Sequence, residues 1–438
     1  MDYSWILEKC FKIENEIKRW RRAVHNLAEV GFDTQNTQRL IVNELNKMGL
    51  FARFVDGGVV CEIQGTMIKD SSPLTDTDGN YSKKVTGEGQ ILPKSHDRKG
   101  CVLLRADIDA LPIAEMTELE FGAKNGNMHA CGHDIHTASL LGAAFVLADN
   151  RDKFSGTVKL AFQSAEEILS GAKRMIEAGV LENPSVDECF ALHVVIGTEH
   201  EAGTVVLPNG DISAPYADFF KISVFGEGGH GAVFEKSKNA ALSGAAITVA
   251  LEKLVSESDG RFSLSVCQIN SGNAPNVIPE RCEICGSIRA LHPKAREAAL
   301  AQIEKACKDS AAVYGCTASV DITSSTEALF NNENLIKSAD ECLNSVYQSH
   351  LNSRGAAVTR APNFQLKASS PSEDFASFAI HVPSLLVGLC AGKSSDGFSY
   401  PLHNSRAIFD ERALPFGAAI YTALAVNLLN KQNADSNS

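Results

Sequence analysis

Cys101-Val-Leu-Leu-Arg105-Ala-Asp107-Ile-Asp109-Ala-Leu-Pro112 decides the fold. The apolar run from Cys101 reads as a short buried strand, and Asp107 and Asp109 follow two residues apart where it ends. Working outward, Thr137 to Asp149 is an apolar helix and Thr157 to Phe162 a strand; Gly171 to Ala178 is a helix and Cys189 to Val195 a strand. That alternation predicts an open α/β sheet, whose chemistry collects where strands end. Taken alone, the two aspartates read equally well as caps of a turn.

A different rhythm begins at Tyr216. Strand (218–225), helix (239–255), strand (262–271), strand (281–290), helix (293–313) and strand (317–322) give the β-α-β-β-α-β order of a ferredoxin-like unit. The α/β character resumes after residue 323, with a strand over 384–389 and a final helix over 413–429. One domain inserted into another is the expectation: 1–215 with 324–438, and 216–323. Residues 5–48 carry apolar positions at helical spacing up to Gly49 and read as two helices, followed by a β-rich stretch from Phe51 to Gly65. Residues 66–100 have no hydrophobic period and are predicted to be a surface insertion.

A chain of 438 residues favours two domains. Its net charge of −12 argues against a nucleic-acid partner, since a phosphate-binding face needs clustered cations. The only basic run, Lys18-Arg-Trp-Arg-Arg22, reads as a solvated helix face. No apolar run approaches the ~18 residues of a membrane span, and charges through the first 20 residues leave no signal-peptide core, so a cytoplasmic protein is expected. The 12 cysteines are scattered, which favours thiols over disulfides.

Asn127-Met-His-Ala-Cys-Gly-His-Asp-Ile-His-Thr137 gathers three His, one Cys and one Asp into eleven residues just before a helix. Packing alone does not concentrate such groups, and Cys/His/Asp clusters serve transition metals. Phe162-Gln-Ser-Ala-Glu166-Glu167 leaves another strand end with adjacent acids, one able to bind metal while the other handles a proton. His193, ending a strand, and His403, ahead of the last helix, are ordinary structural histidines in isolation; beside Cys131, His133 and the acids they complete a His/Cys/Glu ligand set. A second enzymatic reading makes Cys131 a nucleophile paired with His133 or His136, and a third makes the chain a non-catalytic metal-binding protein. Gly226-Glu-Gly-Gly-His-Gly231 fits the dinucleotide fingerprint without the acidic residue of the next strand, so its glycines more simply present His230. Cys282-Glu-Ile-Cys285 has no second pair and favours neither zinc nor redox chemistry.

The ordered motifs Arg105-Ala-Asp-Ile-Asp-Ala-Leu-Pro, Met-His-Ala-Cys-Gly-His-Asp-Ile-His-Thr, Gln-Ser-Ala-Glu-Glu, Leu-His193, Gly-Gly-His230, Pro275-Asn-Val-Ile-Pro279, Ser372-Glu-Asp-Phe375 and Leu-His403 span nearly the whole chain. This set resembles the aminoacylase/carboxypeptidase metallohydrolases, in the branch of hippurate hydrolases, N-acyl amino acid amidohydrolases and auxin-conjugate hydrolases. The resemblance implies a two-metal exopeptidase-like α/β catalytic domain with an inserted ferredoxin-like lid and dimerisation domain. It implies that Cys131, His133, Glu167, His193 and His403 bind two divalent ions with Cys131 bridging, that Glu166 is the general base and that Asp109 orients a ligand. His230, with Asn276, would stabilise the oxyanion across a homodimer interface, and Arg289 would grip the substrate carboxylate. The implied reaction is hydrolysis of N-acyl, N-aroyl or indole-acetyl amino acids or dipeptide-like amides; a dipeptidase or carboxypeptidase of the same fold is the alternative. Thiolate ligation favours Mn or Zn, with Co or Ni admissible, over Mg or Ca. This chain departs from the family in Ser164, where Pro is usual, in the 66–100 insertion, and in Gly-His-Gly-Ala-Val-Phe234, which lacks a following Pro-His.

Overall fold

Seven consecutive buried residues, Cys101–Asp107, form the strand β3 at the heart of the molecule. Its side chains alternate between two cores: Val102 and Leu104 face one, Cys101 and Leu103 the other. A computed structural model describes residues 3–67, 100–210, 212–348, 355–361, 367–368 and 370–435. Among these, β3 lies in an eight-stranded sheet with β1 (Ala52–Val55), β2 (Gly58–Gln64), β4 (Thr157–Gln163), β5 (Glu188–Val195) and β6 (Val205–Leu207). From edge to edge the order is β1, β2, β4, β3, β5, Ser384–Cys390, β6, Val358–Arg360. The central run β4, β3, β5 and Ser384–Cys390 is parallel, while β2 joins β4 antiparallel.

Helices cover both faces, as a parallel sheet requires. On one side lie α1 (Ser4–Lys12), α2 (Glu14–Leu27), α3 (Gln35–Lys47), α4 (His133–Asp149), α8 (Glu333–Gln348) and the terminal helix Leu414–Asp435. On the other, α5 (Gly171–Glu177) and the turn Ala376–Ala379 complete the smaller core. Residues 411–431 contain an 18-residue window apolar enough to cross a membrane, yet that window is wholly buried within the molecule. Thr422, Asn427 and Asn430 interrupt its apolar run and find partners inside the protein, as expected of a core helix.

A separate four-stranded antiparallel sheet, in the order Phe262–Ser271, Arg281–Ala290, Tyr216–Phe225, Thr317–Thr326, carries α6 (Ala240–Glu257) and α7 (Pro293–Val313) on one face around its own core. Asn239 caps α6 by accepting from the amides of Ala241 and Leu242. The elements expected over 262–271, 281–290 and 293–313 have those bounds.

Two local expectations differ. The helical stretch 5–48 is three helices, because Ile13 leaves helical geometry between α1 and α2, and Ala28, left-handed at φ +37°, ends α2. Helix α4 begins at His133, four residues before the expected start, so His133, Asp134 and His136 lie on it. The reading of 66–100 as a surface insertion falls mainly on residues 68–99, outside the described residues. At its near end the amides of Thr66 and Met67 donate to the carbonyls of Arg151 and Phe154 at 2.7 and 3.0 Å.

Lys159, fully buried in the middle of β4, donates through Nζ to the carbonyls of Val180, Glu182 and Pro184 at 3.0, 2.8 and 3.0 Å. Lys159→Met would leave three carbonyls without their cation. It is expected to lower stability by about 2–4 kcal/mol, read as a lower midpoint of denaturant unfolding.

Candidate metal centre

The ends of β3, β4 and β5 converge on one patch, and the loops beyond them carry its chemistry. Asp107 closes β3, Glu166 and Glu167 follow Gln163 at the end of β4, and His193 sits near the end of β5. Cys131 and His133 flank Gly132, whose φ of +84° and close approach to Val194 (2.4 Å from an ideal Cβ to Cγ2) admit no side chain. Ala165 and His403 also hold left-handed backbone, at φ +60° and +62°, a strain that packing must hold in place. The His403 amide is fixed on the Ala130 carbonyl at 3.0 Å.

The ligand atoms of Cys131, His133 and His193 lie within 4.8 Å of one another, and so do those of Cys131, Glu167 and His403. Cys131 is common to both trios. Its Sγ is 3.5 Å from His193 Nε2 and 3.3 Å from His403 Nε2, and His403 Nε2 is 3.4 Å from Glu167 Oε2. His133 donates from Nδ1 to the Asp109 carbonyl at 2.9 Å, and His193 from Nδ1 to the Val194 carbonyl at 2.9 Å. With those tautomers, each ring turns a bare Nε2 lone pair into the cradle. His133 Nε2 and Glu167 Oε1 are buried, lack any hydrogen-bond partner, and lie 3.8 Å apart. Two orphaned acceptors facing each other fit a cation between them.

Electrostatics point the same way. Burial, then the nearby Glu167 and Glu166 carboxylates, pushes the Cys131 thiol well above its usual range, so a free nucleophilic thiolate is disfavoured there. Burial lowers the basicity of His133, but Asp107, Asp109 and Glu167 outweigh it and bring the imidazole to about 10, so the surrounding acids favour a positive charge at Nε2, a proton or, in its place, a bound cation. His136 cannot serve as a partner base for Cys131: its Nδ1 donates to Asp107 Oδ1 at 2.5 Å and its Nε2 accepts from the Val194 amide at 2.9 Å.

Asp109 orders the acid turn. Its two carboxylate oxygens accept from the amides of Glu166 and Glu167 at 3.1 and 3.2 Å, and Oδ1 lies 3.6 Å from His133 Nδ1. Ser164, just before the turn, is within hydrogen-bond distance of Thr34 Oγ1 (2.6 Å) and Gln38 Nε2 (3.2 Å), tying the turn to the start of α3. Burial and the neighbouring Glu373 carboxylate raise the Glu166 carboxyl well above the usual range.

The remaining expected residues lie on the second sheet and its loops. His230 and Asn276 are neighbours: Gly229–His230 pairs with Val277–Ile278, and the Gly231 amide donates to the Asn276 carbonyl at 2.9 Å. They line a concavity of about 750 Å³. His230 is exposed, and among the described residues no hydrogen bond or ion pair joins it to the Cys131 cradle. Arg289 donates from Nη1 to Ser287 Oγ at 2.9 Å and keeps a buried Nε without a partner. Arg105, Gln163, Glu373 and Asp374 carry no expected role, yet all cluster behind Glu166; their sequence signals were a cation inside an apolar strand and their places within the motifs of the family resemblance.

A parallel-centred sheet with a Cys/His/Glu cradle at its strand ends defines a metallohydrolase of the amidohydrolase and peptidase kind. The chain belongs to peptidase family M20/M25/M40, whose model matches residues 103–427. It is 31% identical over 437 residues to thermostable carboxypeptidase 1 of Saccharolobus solfataricus, covering 97% of this chain and 100% of that one. It is 32% identical over 453 residues to the IAA-amino acid hydrolase ILR1-like 2 of Arabidopsis thaliana, covering 98% and 91%. Among solved structures, the YXEP protein of Bacillus subtilis, described as a dinuclear metal binding peptidase from the M20 family, superposes with a TM-score of 0.66 at 26% identity over 96% of this chain and 99% of that one.

If Cys131 serves both trios, Cys131→Ala is expected to cut bound divalent metal from two ions per chain to one or none, measured by elemental analysis after dialysis. Two retained ions would contradict the shared position.

Proposed function

We propose that this chain hydrolyses the amide bond of N-acyl, N-aroyl or indole-acetyl amino acids and releases the free amino acid. The observation that carries the reading is the pair of buried, partnerless ligand atoms, His133 Nε2 and Glu167 Oε1, beside Glu166. A binding site alone has no use for a second carboxylate at that spot. Cys131, His133, Glu167, His193 and His403 would hold two divalent ions, Mn or Zn first and Co or Ni next. Such ions, when bound, acidify water and polarise a carbonyl oxygen. Glu166 then takes a proton from water and delivers it to the leaving amine, a task that its raised basicity suits. Asp109 holds the Glu166–Glu167 backbone in register throughout.

Residues 216–323 act as lid and dimerisation domain upon the catalytic parts 1–215 and 324–438. Strand Phe262–Ser271 is a sheet edge with its second half exposed, and α6 turns Leu242 and Val249 to solvent, features that favour pairing with a second copy. His230 and Asn276, delivered from the partner subunit, face the developing oxyanion, and Arg289 receives the substrate carboxylate with its free Nε. The cytoplasm is the proposed location. A carboxypeptidase activity on short peptides is the second reading, supported by the resemblance to the Saccharolobus solfataricus enzyme.

A panel of acetyl, benzoyl and indole-acetyl amino acids together with dipeptides, each with Mn or Zn supplied, separates the two readings. Chelation is expected to abolish turnover. Glu166→Gln is expected to lower kcat on the order of 10³-fold while both ions stay bound; parental activity in that variant would overturn the mechanism. Light scattering is expected to report a dimer, and a fully active monomer would remove the cross-subunit role of His230.

A further inference from the structure

Ser372-Glu-Asp-Phe375 brings two carboxylates to the sheet end, and the chemistry above uses neither. Asp374 is 1% exposed, and its acceptor capacity is filled from three directions. Oδ1 accepts from Arg105 Nη2 at 2.9 Å, Gln163 Nε2 stands 2.8 Å from both oxygens, and Oδ2 accepts from the Ala172 amide at 3.0 Å. Gln163 immediately precedes the turn that carries Glu166 and Glu167, and Ala172 immediately follows it. One carboxylate therefore ties together both ends of that turn.

The middle is held as well. The Asp374 amide donates to Glu166 Oε1 at 3.4 Å, leaving Oε2 on the side of His133 Nε2, 4.0 Å away. Arg105, fully buried, keeps Asp374 in place: its Nε donates to Gln163 Oε1 at 3.0 Å and its Nη1 to Asp107 Oδ2 at 2.9 Å, with Glu373 Oε1 3.2 Å from Nη2. The turn has no slack against this clamp, since an ideal Cβ on Gly171 would stand 1.6 Å from the Ser164 carbonyl oxygen.

We propose that Asp374, supported by Arg105 and Gln163, is a positioning residue for the general base, closing the Glu166 turn at both ends and fixing the carboxylate from behind. This rests on Glu166 being the base. Misplacing a reacting group by about 1 Å costs on the order of 10²-fold in rate, so loosening the clamp acts on turnover.

The test compares kcat, KM and bound metal for Asp374→Asn and Gln163→Met, using the best N-acyl amino acid of the panel with Mn supplied. Gln163→Met keeps the Arg105–Asp374 pair, so it carries the test if Asp374→Asn fails to fold. Lys159→Met serves as a framework control that lowers stability on the same sheet without touching the turn. Both clamp variants are expected to lose roughly 10- to 100-fold in kcat, with KM and two bound ions kept, while Lys159→Met keeps its kcat per folded molecule. In a Glu166→Gln background Asp374→Asn is expected to add no further loss, because it acts through the base. The clamp is overturned if its variants lose only stability, if kcat and metal content fall together, or if losses add fully in that background. Parental activity in Glu166→Gln alone would overturn the base and the clamp together; a dead Glu166→Gln beside unchanged clamp variants would overturn the clamp only.

Discussion

Carboxyl groups do not stay buried without compensation, and one end of this sheet buries five of them, Asp107, Asp109, Glu166, Glu373 and Asp374, around the buried guanidinium of Arg105. Many of their oxygens are met by N–H donors. Asp109 accepts two backbone amides, Asp107 takes Arg105 and His136, and Asp374 takes Arg105, Gln163 and Ala172. Beside the Cys131 thiol, His133 Nε2 and Glu167 Oε1 stay buried without a hydrogen-bond partner. In the proposed two-metal arrangement, bound cations would complete the balance there.

The framework behind the site serves the same end. Asp134, next to His133 on α4, lies 2.7 Å from Arg21 Nε and 2.8 Å from His25 Nδ1, which locks α4 to α2. From the terminal helix, Tyr421 donates its hydroxyl to the Arg105 carbonyl at 2.6 Å. Helices from both ends of the chain therefore brace β3 and the first turn of α4, the two elements on which the cradle is hung. The second sheet carries His230, Asn276 and Arg289, the residues that the proposed homodimer would bring to the site.

Much of this was legible in the residues. The apolar run at Cys101, the crowding of Cys131 with histidines, and the acids after Phe162 each announced a strand end with chemistry on it, and the second sheet followed from its strand and helix spacing. The start of α4 was hidden because a helix buried on all sides has no polar face, so His133 and His136 read as loop residues until their ring nitrogens found partners. Strands of three residues, Val205–Leu207 and, at the sheet edge, Val358–Arg360, are too short to show alternation. The partnership of Arg105, Gln163 and Asp374 joins residues 269 and 211 positions apart, and no local pattern encodes such a distance.

The central claim is that two cations share the Cys131 sulfur. Diffraction from metal-loaded crystals, with anomalous differences collected at the absorption edge of the bound metal, tests it most directly. Two peaks about 3.5–4 Å apart, one beside His133 and His193 and the other beside Glu167 and His403, each bonded to Sγ, are the expected result. A single peak, or two peaks with the sulfur outside bonding distance of either, would contradict the account.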